Sequence, residues 1–397
     1  MLDLFAKTEK EHNYDVARAA GIYPYFHELT SGQDTVVEIE GKRTIMIGSN
    51  NYLGLTSHPE VIEAGLQGLK KYGSGCSGSR FLNGTLNIHK MLEKELAEFL
   101  HKEAVMTFST GFQSNLGIIS SIVGHGDYVI CDKENHASIY DGCRLSFGKM
   151  LRYNHNDMED LEKTLAYVDE QKGAGGALIV TDGVFSMSGE ICNLPEIVRL
   201  AKKYGARVMV DDAHGLGVLG KHGRGTAEYY GLEDEVDIYM GTFSKSLASL
   251  GGYMAASARV IDYVKHTSRP YIFSASITPA SVQSARKALE ILAREPQRVR
   301  ALNEIGDYMR KKLDEANIKY IPSKTPIVSI YTYEDEKAFT ACKLLLERGV
   351  YVNPVITPAT PVGKALIRTS YSATHKHEEI DEAVVKIKEV LHILGIE

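Results

Sequence analysis

Short apolar runs that end in polar residues recur through the middle of the chain. They lie at 104–108, 128–131, 177–181, 207–210 and 236–240. Their polar ends read Ser109-Thr110-Gly111-Phe112, Asp132-Lys133-Glu134-Asn135-His136-Ala137-Ser138, Asp182-Gly183-Val184-Phe185-Ser186, Asp211-Asp212-Ala213-His214 and Gly241-Thr242-Phe243-Ser244-Lys245-Ser246. Helical stretches separate them, one through Leu116 and Ile119 and another after Pro195. Apolar strands alternating with helices predict an α/β fold with a mostly parallel central sheet covered by helices on both faces. In such sheets ligands bind beyond the carboxyl ends of the strands, where these polar residues fall.

The flanks follow other patterns. Residues 1–35 are polar and read as a helical arm, packed on the body or on a second subunit. Alternation over 36–47 around Gly41-Lys42 predicts a hairpin. Pro59 opens a helix with Ser57 as its cap, and 73–80 is a flexible loop of small residues. Ile88, Met91, Leu92, Leu96 and Phe99 recur at helical spacing. One long helical stretch over 279–316 leads into a smaller α+β unit, with strands at 327–331, 350–352 and 365–369 and helices at 339–346 and 380–391. The expected division is an arm and hairpin over 1–55, a large α/β domain over 56–290 and a small domain over 291–397.

Composition narrows the partners. The chain has 397 residues, 44% hydrophobic and 24% charged, with a formal net charge of −6. No basic run argues for nucleic acid. No apolar run is long enough for a membrane span, and no signal-peptide core is visible. Five scattered cysteines without a CxxC pair predict reduced thiols and a cytoplasmic protein. The histidines lack the HExxH spacing of a metal site, so no metal is expected.

Lys245 taken alone would be a solvated surface charge. Beside a strand-end aspartate and a phosphate-sized set of donors, it becomes part of a pyridoxal phosphate site. An imine-forming lysine must shed its proton, so the site must lower its pKa from ~10.4. Asp211 is the carboxylate for the ring nitrogen; Asp212, one residue on, should point away. The phosphate donors are the Gly111 and Phe112 backbone N–H groups at a helix start, joined by the Thr242 and Ser244 hydroxyls, and Ser109, Thr110 and Ser186 complete the cofactor-binding set. His136 could stack on the ring, and His214 could bond the ring oxygen or a substrate carboxylate. Arg368, inside the apolar strand Leu366-Ile367-Arg368-Thr369, needs an anionic partner, which a substrate carboxylate supplies.

These stretches, together with Asn50-Asn51-Tyr52-Leu53-Gly54-Leu55 and Ser372-Ala373-Thr374-His375, resemble the α-oxoamine synthase family over nearly the whole chain. The resemblance implies a fold-type I, pyridoxal phosphate-dependent acyltransferase with Lys245 as the Schiff-base lysine, Asp211 at the pyridine nitrogen and His136 on the ring. It further implies His214 near the ring oxygen and Arg368 on the substrate carboxylate, with Asn51, Ser79 and His136 on the substrate side. It places the site at a homodimer interface, with Ser274 reaching the partner's phosphate. The run Gly78-Ser79-Arg80-Phe81-Leu82-Asn83-Gly84-Thr85-Leu86 and the lysine stretch are most similar to the branch that joins L-serine to a long-chain acyl-CoA. Other branches take glycine with acetyl-CoA, or alanine with pimeloyl-CoA. A transient membrane contact, to fetch or release lipid, is compatible with an acyl-CoA substrate. In one departure, Ile356 stands where many relatives carry arginine, so the resemblance supplies no second carboxylate-contacting arginine.

Overall fold

The computed structural model of the chain describes residues 1, 3–171, 173 and 175–396. Two strands, β1 (Val36–Ile39) and β2 (Lys42–Met46), form the expected hairpin. Seven more build the central sheet: β3 (Ala104–Phe108), β4 (Tyr128–Asp132), β5 (Lys149–Tyr153), β6 (Ala177–Asp182), β7 (Arg207–Asp211), β8 (Ile238–Thr242) and β9 (Gly252–Ala256). Their order is β3-β9-β8-β7-β6-β4-β5, parallel except for β9, which is antiparallel to both neighbours. The sequence pattern hides β5, an edge strand written Lys-Met-Leu-Arg-Tyr, and β9, whose Gly-Tyr-Met-Ala-Ala has little intrinsic strand preference.

Strand alternation sorts side chains onto the two faces. Val208 and Val210 join the core under the helices Asn87–Leu100, Leu194–Tyr204 and Pro279–Arg294. Met209 joins the opposite core, with Ile118 and Ile119 of the helix Gly111–Ile122. The same alternation parts the next two residues. Asp211 turns to the face of helix Gly111–Ile122, where it meets Asn115. Asp212 turns to the other face and accepts hydrogen bonds from Thr226 N and Oγ1, at 2.8 and 2.7 Å.

Four further strands complete the chain: β10 (Ile327–Tyr333), β11 (Val350–Tyr351), β12 (Asn353–Val355) and β13 (Ala365–Ser370). A small antiparallel sheet runs β10-β13-β12. The N-terminal hairpin belongs with this end of the chain, since β2 pairs in parallel with β11. Ile45 and Ile47 are buried with Ile330, Val350, Ile367 and Ile380.

Three local expectations are corrected. The stretch 279–316 is two helices, Pro279–Arg294 and Gln297–Glu315, because Pro296 forces Glu295 out of helical geometry. The second helix puts Val299 and Leu302 into the large core and Ile305, Met309 and Leu313 into the small one, so it joins the two. Among the described residues before 36 the helical elements are a 3-10 turn, Leu4–Lys7, and a short helix, Asn13–Ala19. Ser57 caps nothing: its hydroxyl donates to the Gln33 carbonyl, and His58 occupies the cap position.

The loop expected to be flexible is bolted down. Arg80 is buried and donates to Glu93 Oε1 and Thr107 Oγ1, both at 2.8 Å, and to Thr85. Glu93 also accepts from the Thr107 N–H. Asn83 donates to the Cys76 and Ser77 carbonyls. Removing one member of such a pair strands the other charge. Glu93→Leu should therefore cost about 3–5 kcal/mol in urea unfolding, and adding Arg80→Met should recover part of that loss. A single variant as stable as the parent would contradict this.

Candidate active site

Beyond the carboxyl ends of β4, β6, β7 and β8 lies a cavity of about 290 Å³. Its walls include Thr110, Gly111, Phe112, His136, Ser186, Asp211, His214, Thr242, Ser244 and Lys245. Ten sequence-predicted residues thus meet in one place although they span 110–245, because parallel strands bring successive carboxyl ends to the same edge.

Lys245 follows β8 and is half-buried. Among the described residues its amine makes no hydrogen bond. Burial pulls its pKa down to about 8; Asp211 opposes the shift and Arg368 adds to it. Asp211 is buried, with Oδ2 accepting from Asn115 Nδ2 at 2.7 Å and Oδ1 from the Ala213 N–H at 3.0 Å. Asp182 is its register partner on β6. Burial, reinforced by Asp211, pushes the Asp182 carboxyl well above the usual range. Its Oδ2 accepts from the His136 N–H, and its Oδ1 has no partner. Two facing carboxyl groups in a dry site disfavour each other's charge, which adds to the effect of burial on Asp182.

His214 is held by Tyr52, whose hydroxyl lies 2.7 Å from Nδ1. Burial, helped by Lys245 and Arg368, keeps this imidazole neutral. His136 caps the helix Ala137–Leu145, and burial lowers its pKa as well. Phe112 meets its ring edge-to-face at 6.3 Å. Gly111 and Phe112 open their helix, so their N–H groups lack intrahelical acceptors and face the cavity. A Cβ on Gly111 would sit 2.8 Å from Thr242 Cβ and Oγ1, closing the space between them.

Arg368 reaches the site from the small sheet. It is 5% exposed and, among the described residues, pairs with no carboxylate. It donates to the Ser186 carbonyl, to Asn50 Oδ1 at 3.0 Å and to Ser370 Oγ at 3.3 Å. A buried guanidinium satisfied only by neutral acceptors is prepared for an anion.

Four predicted residues stand elsewhere. Ser109 spends its hydroxyl on the Ala275 carbonyl, so it is not a free phosphate donor. Ser79 bridges Ala275 through its backbone, and Ser274 lies half-buried beside them. Asn51 turns its side-chain oxygen to the Leu55 and Thr56 N–H groups. Its neighbour Asn50 is the one that reaches Arg368. Thr110 lines the cavity while also capping its helix through Gln113 N. Asn50, Tyr52, Asn115 and Asp182 are the site residues that sequence reasoning passed over. Asp182 carried a visible signal as a polar strand end, and Asn115 another as a polar residue beside apolar Leu116, Ile118 and Ile119.

Glu134, His155 and Glu190 bring three ligand-type side chains within 4.8 Å of one another. Burial works against charge on His155, but the hydrogen bonds it donates to Asp132 and Glu190 outweigh it and raise its pKa to about 10. With this charge His155 pairs with the carboxylates of Asp132, Glu134 and Glu190 around it.

Residues 42–387 match the family described as aminotransferase class I and II. The chain is 52% identical to a serine palmitoyltransferase of Sphingobacterium spiritivorum over 380 residues, covering 96% of this chain and 94% of that one. It is 43% identical to an 8-amino-7-oxononanoate synthase of Symbiobacterium thermophilum, with 96% of each covered. A solved structure described as SPT with PLP internal aldimine superposes with a TM-score of 0.96 at 36% identity, covering both chains completely. The chain belongs to the aminotransferase class I and II family and has its fold-type I architecture. Within that family it fits the α-oxoamine synthases, and the serine palmitoyltransferases are the relatives with which it shares half its residues.

Pyridoxal phosphate is the cofactor of this family, and the residues present suit it. Asp211 offers a buried carboxylate, Lys245 an amine with a lowered pKa, and the glycine-opened helix start a cradle that a side chain would fill. Because Lys245 is protonated below about pH 8 and free above it, its labelling should follow that value. Reductive methylation of the apoprotein, read by peptide mass spectrometry, should rise at Lys245 through about pH 8 and then level off. Exposed lysines should keep rising towards ~10.4. A Lys245 profile matching theirs would refute the shift.

Proposed function

We propose that the chain is a pyridoxal phosphate-dependent serine palmitoyltransferase. It condenses L-serine with palmitoyl-CoA, or a similar long-chain acyl-CoA, to give 3-ketodihydrosphingosine, CoA and carbon dioxide. The observation that carries this reading is the meeting of Lys245, Asp211, His136 and His214 in one cavity, in a chain 52% identical to a serine palmitoyltransferase along nearly its whole length.

The cofactor, when bound, supplies the electron-withdrawing ring that stabilises negative charge on the α-carbon of serine. The chain does the rest. Asp211 would hold the proton on the ring nitrogen. Thr242, Ser244 and the N–H groups of Gly111 and Phe112 would hold the phosphate. Lys245, freed as an amine, takes the α-proton of serine, a task that its lowered pKa suits. Arg368 and His214 hold the serine carboxylate, and His136 bounds the cavity on the side of the exposed ring face. The α-carbon would then bond to the acyl carbonyl carbon as the carbon–sulfur bond breaks and CoA leaves as its thiolate; the carboxylate would leave as carbon dioxide, and the proton held by Lys245 would return to the α-carbon.

The reading includes a cytoplasmic homodimer, with Ser274 turned to the partner's phosphate, that feeds sphingolipid synthesis. No helix among the described residues is long and apolar enough to cross a membrane, so a lipid product would leave through transient membrane contact.

The test is turnover of L-serine, glycine and L-alanine against acetyl-, pimeloyl- and palmitoyl-CoA, scored by CoA release. L-serine with palmitoyl-CoA should exceed every other pair by at least about tenfold in kcat/KM, or ~1.4 kcal/mol. Lys245→Ala should abolish turnover and the visible cofactor band. Preference for glycine with acetyl-CoA, or alanine with pimeloyl-CoA, would move the chain to another α-oxoamine synthase activity.

A further inference from the structure

Asn115 is fully buried in the middle of the helix Gly111–Ile122, behind the cavity wall. Its side-chain nitrogen donates twice: to Asp211 Oδ2 at 2.7 Å and to Ser138 Oγ at 2.9 Å. The amide orientation is decided by chemistry, since a carboxylate oxygen only accepts. Its own oxygen is buried without a partner. A buried amide with an unsatisfied oxygen is unfavourable for folding, so packing does not explain why asparagine stands here.

The second donation sets a direction. Ser138 Oγ accepts from Asn115 and lies 2.7 Å from His136 Nδ1. The Ser138 N–H points at the same nitrogen, at 3.3 Å. Nδ1 therefore accepts, and the hydroxyl proton of Ser138 also turns towards it. A neutral imidazole with an accepting Nδ1 carries its proton on Nε2.

We propose that Asn115 is a positioning residue that serves both faces of the cofactor site. It aims the Asp211 carboxylate and, through Ser138, locks His136 in the Nε2–H tautomer. The inference rests on the proposed pyridoxal phosphate site. It adds that one side chain outside the cavity couples the residue at the ring nitrogen to the residue at the ring face. His136 then offers an N–H donor, suited to an anionic substrate group, instead of a bare nitrogen that would repel one.

The experiment compares the wild type with Asn115→Leu, Ser138→Ala and Ser138→Thr. It reads the pyridoxal phosphate Kd of each apoprotein, the pH midpoint of the visible band, the melting temperature of the apoprotein, and the His136 ring nitrogens by ¹⁵N NMR. Asn115→Leu removes both donors at similar volume. Its Kd should rise on the order of 10–100-fold, as when residues supporting a metal's ligands are removed, and the band midpoint should shift. Ser138→Ala should leave Asp211 aimed but weaken the preference of His136 for the Nε2–H tautomer, since only the 3.3 Å Ser138 N–H then remains on Nδ1, and Ser138→Thr should restore it. If Asn115→Leu does not fold, the two Ser138 variants decide the His136 arm.

An Asn115→Leu protein that keeps the wild-type Kd, band midpoint and tautomer, and changes only its melting temperature, would overturn the inference alone. So would a wild type with its His136 proton on Nδ1. A wild type that takes up no pyridoxal phosphate would overturn the proposed function and this inference with it.

Discussion

A carboxylate buried at the end of a central strand constrains everything around it. Asp211 sits where water is scarce, and an ionised group there must be hydrogen-bonded or paired. Asn115 and the Ala213 N–H meet part of that demand. The remainder is electrostatic and falls on Lys245, whose amine Asp211 stabilises against burial. Burial and the neighbouring Asp211 push the Asp182 carboxyl well above its usual range, with Lys245 opposing them. One carboxylate thus acts on two neighbours, and burial lowers the pKa of both His136 and His214 beside it.

The second constraint is that this site is closed by a different part of the chain. Arg368 comes from β13, held in the small sheet between β10 and β12. It reaches Asn50, which follows the N-terminal hairpin, and the carbonyl of Ser186, which follows β6. Three distant segments converge on one guanidinium. The helix Gln297–Glu315 sends side chains into both cores and so joins them. An anion-binding arginine placed this way depends on how the two cores pack.

Much of the site was legible in the sequence because parallel α/β architecture converts a one-dimensional pattern into a location. Once an apolar run is read as a strand, the residues after it belong to the carboxyl edge; Gly111, His136, Asp211, His214 and Lys245 all follow from that rule. Period two also separated Asp211 from Asp212 correctly. Ser109 and Asn51 were misplaced because a hydroxyl or amide can bond whichever acceptor or donor is nearest. Neighbours in space, Ala275 for one and the Leu55 turn for the other, are not visible in a linear pattern. Serines of the 273–277 region were likewise drawn together by backbone pairing across 79 and 275.

The sequence by itself determined the element types, the parallel order of polar strand ends and the residue kinds that a pyridoxal phosphate site requires. These are local matters of side-chain period and chemistry. Tertiary structure alone decided that β9 runs against its neighbours, that the hairpin joins the far end of the chain, and that Arg80 is a buried bolt. It also decided that Lys245 loses its proton near pH 8, and that a buried asparagine faces Asp211. Burial and hydrogen-bond partners are properties of packing between segments far apart in the chain, and charge states follow from them.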